Sequence, residues 1–87
     1  MTVDMFPHLE NTELSAYLNG PADAGSYQQL CDFVRYTKGC WWEDTSNDYL
    51  DETILDGRRD ALVVADQALE IGDFPAVHKY LRLYWSI

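Results

Sequence analysis

No apolar run in this 87-residue chain approaches the length of about 18 residues that a membrane-spanning helix needs. Cysteine occurs only twice, at Cys31 and Cys40, which is too sparse for a disulfide-stapled secreted scaffold. Neither cysteine belongs to a C-x-x-C pair, and His8 and His78 form no H-x-x-x-H pair, so no metal site is expected. The sequence contains no G-x-S-x-G, no P-loop and no G-x-G-x-x-G, and the expectation is a protein that is not an enzyme and holds no cofactor. Positive charge is scarce as well: six Lys and Arg stand against fifteen Asp and Glu, giving a net charge of −9. Such a field repels the phosphates of nucleic acids and anionic lipid, so neither is expected as a direct partner, and it attracts basic protein surfaces. Strand-like alternation never persists beyond a few residues, which excludes a sheet.

The chain does have aromatic and helical signal. Hydrophobic residues make up 47% of the sequence, enough for one modest core in a single domain spanning residues 1–87. Three Trp and six Tyr are many for this length, and they serve either burial or binding. Residues 1–18 carry Asp4, Glu10 and Glu13 and no base, so they do not read as a signal peptide. With two free thiols, the expected compartment is the reducing cytoplasm.

Local signals place the helices. Phe6-Pro7 marks an extended or turn segment ahead of the first helix. Asn11 is a suitable N-cap for that helix, which carries Leu14 and Leu18 and is stopped by Asn19-Gly20-Pro21. Ser26 and Gln29 form a capping box for a second helix, whose stripe is Tyr27, Leu30, Cys31 and Val34. Lys38-Gly39 reads as its stop, leaving Cys40, Trp41 and Trp42 in a connection. Thr45 or Ser46 then caps a third stretch, in which Leu50, Ile54, Ala61, Val64, Ala68 and Ile71 recur at intervals of three and four. That phase survives across Gly57 and favours one continuous helix over residues 46–71, with a bend at Gly57 or a break into two at Asp56-Gly57 left open. Gly72 ends it, and Asp73 caps a last helix with Val77, Tyr80, Leu81 and Tyr84 inward and Lys79 and Arg82 outward. The predicted fold is all-α, a bundle of three to five helices around Leu14, Leu30, Val34, Ile54, Val64 and Leu81. Residues 68–81, with Gly72-Asp73-Phe74 at the turn, resemble a single tetratricopeptide-type hairpin; without further repeats that resemblance implies no solenoid.

Chemistry concentrates between Glu43 and Asp56, where six carboxylates occur with no base: Glu43, Asp44, Asp48, Asp51, Glu52 and Asp56. Asp48, Glu52, Asp56 and Asp60 repeat every fourth residue, which on a helix aligns them on one face about 6 Å apart. The segment beginning at Asp44 is not a calcium loop, because Tyr49 stands where such a loop needs Gly and Leu55 where it needs a bidentate Glu. Solvated acids on a helix face also lack the burial that retunes a carboxyl for acid–base catalysis. Cys31, on an apolar stripe, is expected to be inert, and Cys40 has no neighbouring His to activate it. His78, beside Lys79, reads as a surface or boundary residue.

Two adjacent residues cannot both face one core, so one of Trp41 and Trp42 is expected to be exposed, and Trp42 is the candidate anchor. Trp85 is a second candidate. The expected function is docking of the acidic face on the basic surface of a partner, in competition with phosphates, by a monomer or homodimer. In size, acidity and lack of catalytic motifs the chain is similar to phage anti-CRISPR and antirestriction inhibitors. The alternatives are an immunity protein against a toxin nuclease, or a structural subunit that dimerises through the seam of residues 50–71.

Overall fold

In the computed structural model, which describes residues 9–45 and 51–86, four helices form a bundle with no strand among the described residues. They are α1 (Thr12–Asn19), α2 (Tyr27–Thr45), α3 (Glu52–Ile71) and α4 (Phe74–Ser86). None is long and apolar enough to cross a membrane. The Cα atoms extend over 35 × 35 × 17 Å, a thickness that two helices in contact fill.

The caps lie where local chemistry puts them. Asn11 Oδ1 accepts from the Leu14 amide at 3.1 Å, satisfying one orphan donor of α1. At α2 the box is reciprocal: the Gln29 amide donates to Ser26 Oγ at 3.3 Å, and the Ser26 amide donates to Gln29 Oε1 at 3.0 Å. Gly72 closes α3 in the left-handed region, with φ 77°. Its amide bonds the Leu69 carbonyl and the Asp73 amide bonds the Ala68 carbonyl, the paired bonds of a Schellman turn. Asp73 then caps α4 by accepting from the Ala76 amide.

Two boundaries differ from expectation. α2 does not stop at Lys38-Gly39 but continues through Cys40 and both tryptophans to Thr45. An interior Gly costs a helix about 1 kcal/mol. The turns on either side offset that cost: Thr37 is buried, and Trp41 packs on the core and donates from Nε1 to the Leu55 carbonyl. α3 runs unbroken through Gly57, as the phase predicts, but begins at Glu52. Its cap is Asp51, not Thr45, which is the last residue of α2. Ser46, Leu50, Asp48 and His8 lie outside the described residues.

The core gathers Leu14, Leu18, Leu30, Val34, Ala65, Val77, Leu81 and Tyr84, with α3 meeting α4 across the most extensive interface. Ile54 and Val64, expected inside, are only partly buried. The buried band of α3 is centred instead on Ala61, Leu62, Ala65, Ala68 and Leu69, rotated from the predicted stripe. Ala61 and Ala68 of the predicted dimer seam are therefore consumed by the chain's own core, while Ile71 is 79% exposed. Tyr27, expected inward, is 56% exposed, and Tyr80 is half-buried. His78 is not a surface residue. It is 5% exposed, stands edge-on to the Tyr17 ring and donates from Nε2 to the Tyr17 carbonyl at 3.1 Å.

Candidate functional site

The carboxylates of the predicted face separate into different duties. Asp51 Oδ1 accepts from the Thr53 amide at 2.8 Å, so this residue caps α3. Asp44 is half-buried and its Oδ2 accepts from Arg58 Nη1 at 3.1 Å, across the gap between α2 and α3. Asp44 and Glu43 lie in the last turn of α2, where the helix dipole disfavours acids by about 0.3–1 kcal/mol each. Arg58 offsets that cost for Asp44, and Glu43 remains solvent-exposed. Glu52, Asp56 and Asp60 are exposed and continue as one row along the outer face of α3. Arg59 sits beside the row, 3.7 Å from Asp56 and 3.9 Å from Asp60 in solvent-exposed pairs, and lowers the local charge without covering either acid. The fourth member of the predicted row, Asp48, is outside the described residues.

Continuation of α2 through Gly39 decides the disposition of the tryptophans. Trp41 turns inward, anchored by its bond to Leu55, while Trp42 is 67% exposed. The two rings meet edge-on, centroids 5.3 Å apart and planes at 74°. Trp42 is thus braced by a partner that is itself tied to the core, so little conformational freedom is lost if it is covered. Trp85 is docked instead: its Nε1 donates to Thr37 Oγ1 at 3.3 Å and its ring stacks on Tyr36.

Trp42 borders a groove of about 510 Å³ between α2 and α3. Leu62 and Val63 form the facing wall, and Arg59 and Glu70 stand at its edge. Val63 is 46% exposed in mid-helix, where a β-branched residue has no local advantage. Sequence reasoning missed this wall. Its signal was Leu62-Val63-Val64, three successive apolar residues that a helix cannot turn to one side. Lys38 and Asp66 also line the groove and are paired, Lys38 Nζ to Asp66 Oδ1 at 3.2 Å.

Elsewhere the chemistry is quiet. No cluster of three metal-ligating side chains occurs among the described residues. Both cysteines are free thiols and only partly buried. Burial pushes the Cys40 thiol up, with Glu43, Asp44 and Glu10 acting in the same direction against a hydrogen bond with Tyr36, so the thiolate is disfavoured. The Tyr17 and Tyr84 hydroxyls are buried and have no hydrogen-bond partner among the described residues. Burial raises both, Tyr17 to about 12. Comparison with protein-family models, curated proteins and solved structures finds no match to this chain.

Proposed function

We propose that the chain is a non-enzymatic protein-binding inhibitor. Its acidic α3 face and Trp42 dock on a basic, nucleic-acid-binding surface of a partner protein, in place of phosphates, as phage anti-CRISPR and antirestriction inhibitors do. The observation that carries this reading is the continuity of two surfaces. Arg59 lines the groove beneath Trp42 and is also ion-paired with Asp56 and Asp60, so a braced aromatic anchor and the exposed row Glu52, Asp56, Asp60 form one patch. Aromatic anchors with charged surroundings typify protein interfaces, and the net charge of −9 steers such a patch towards positive partners. Glu43 extends the acidic margin along α2, while Asp44 and Asp51 support it by fixing the ends of α2 and α3. The free thiols Cys31 and Cys40 are in keeping with a cytoplasmic setting.

The test is association with a basic protein captured from the native host on the immobilised chain. Its rate is expected to fall steeply with added salt, and excess duplex DNA or RNA should compete. Changing Glu52, Asp56 and Asp60 together to Lys should slow association about tenfold or more and flatten the salt dependence, with the helical circular dichroism unchanged. Association untouched by that triple reversal would overturn the reading.

A further inference from the structure

The outer row of α3 does not end with its acids. Glu52, Asp56 and Asp60 are followed at intervals of three and four by Val63 and Gln67, all exposed, so one face passes from carboxylates to the apolar groove. From Glu52 to Gln67 the axial rise is about 22 Å, which a helix of about fifteen residues matches. The groove between two packed helices suits a third helix laid along it, since ridges of side chains enter such grooves at interaxial distances of about 8–10 Å. The paired Lys38 and Asp66 line both this groove and a smaller one of about 210 Å³ bordered by Cys31, Val34 and Arg35.

We propose that the groove receives a single amphipathic helix of the partner protein, one with a bipartite charge pattern. Apolar side chains of one half lie between Trp42 and Val63, and Lys or Arg side chains of the other half meet Asp60, Asp56 and Glu52. The proposal rests on the reading of the acidic face as a docking surface and adds the form of the partner's element. Charge complementarity selects the occupant. An acidic helix would be repelled along half its length, and an anionic lipid surface is disfavoured by the same row. The preformed Trp42–Trp41 pair supplies the rigid anchor that helix-in-groove recognition uses.

The probe is a synthetic peptide of about sixteen residues, a length chosen to span that row. One half carries Leu at i, i+3, i+4 and i+7, and the other half carries Lys. A control peptide has the same composition with Leu scattered around the helix. The patterned peptide is expected to bind about tenfold or more tightly than the control. Binding should shift the emission of Trp42 to the blue, read as the difference from a Trp42→Phe variant. Trp42→Ala and Val63→Asp should each weaken binding about tenfold, whereas Leu83→Asp, on the exposed side of α4, should not. All three positions are exposed, and far-UV circular dichroism verifies that the fold is retained. Equal affinity for the two peptides, or indifference to Trp42→Ala and Val63→Asp, overturns the groove. If only the Glu52, Asp56, Asp60 reversal abolishes binding, the acidic docking reading stands and the groove falls. If only the groove variants do, the groove stands and the acidic reading falls.

Discussion

Arg58 and Asp44, fourteen residues apart in sequence, meet at 3.1 Å and tie the start of α3 to the end of α2. The guanidinium also lies over the Tyr84 ring, 5.7 Å from its centroid, so a single side chain joins three helices. Because the pair is mostly shielded, its loss should cost more than an exposed pair and less than a fully buried one. Asp44→Asn is expected to lower stability by about 1–2 kcal/mol in urea titrations. Asp56→Asn, at an exposed pair, should change it by less than about 0.5 kcal/mol. Equal effects would mean that Asp44 is as well solvated as Asp56.

Tyr17 and Tyr84 each bury a hydroxyl without a hydrogen-bond partner. Removing such a group recovers its desolvation cost, so Tyr17→Phe and Tyr84→Phe should be neutral or stabilising by up to about 1 kcal/mol at neutral pH. The pH dependence follows in sign. Tyr17 has its pKa raised to about 12 in the fold from an ordinary value of 10.0, so the unfolded chain releases that proton first as pH rises. The Tyr17 contribution is fully present below pH 10 and is lost between about pH 10 and 12. Thermal melts across that range should show the decline, reduced in the Tyr17→Phe variant; an unchanged decline would assign it to other groups.

Gly39 lies inside α2, at an exposed position where an added Cβ meets no atom within 4 Å. Gly39→Ala therefore gains helix propensity without a clash and should raise stability by about 0.5–1 kcal/mol. If α2 instead ended at Lys38 in solution, the same change would be neutral or destabilising, so the melting temperature also tests the length of the helix.

Thr37 is buried, and its Oγ1 donates to the Phe33 carbonyl at 2.8 Å while accepting from Trp85 Nε1. Thr37→Val keeps the volume but removes the acceptor beneath Trp85. The expected cost is about 1–2 kcal/mol, accompanied by altered Trp85 fluorescence. Thr37→Ser, which keeps the hydroxyl, should retain the fluorescence even if some packing is lost.

What could be read in the sequence was local. The reciprocal bonds of Ser26 and Gln29, the cap at Asn11 and the turn at Gly72 each depend on residues within four or five positions, and all lie where expected. The Gly39 boundary failed because the tie that extends α2 comes from Leu55, on another helix. His78 was misplaced for the same reason, since its burial depends on a carbonyl sixty-one residues away. Adjacency alone required an exposed tryptophan, and Trp42 is that residue. The acids were visible as a row, but only the packing of α3 on α2 shows that Asp44 is engaged by Arg58.

The turn at Gly72 and Asp73 joins the two helices that share the largest interface in the molecule. Closing so short a loop costs little entropy, and pairing between sequence neighbours is kinetically fast. Yet α3 and α4 are the last of the four helices to be synthesised. α1 and α2 must leave the ribosome before the surface they pack against exists, with Leu14, Leu30 and Trp41 open to the cell until the hairpin follows.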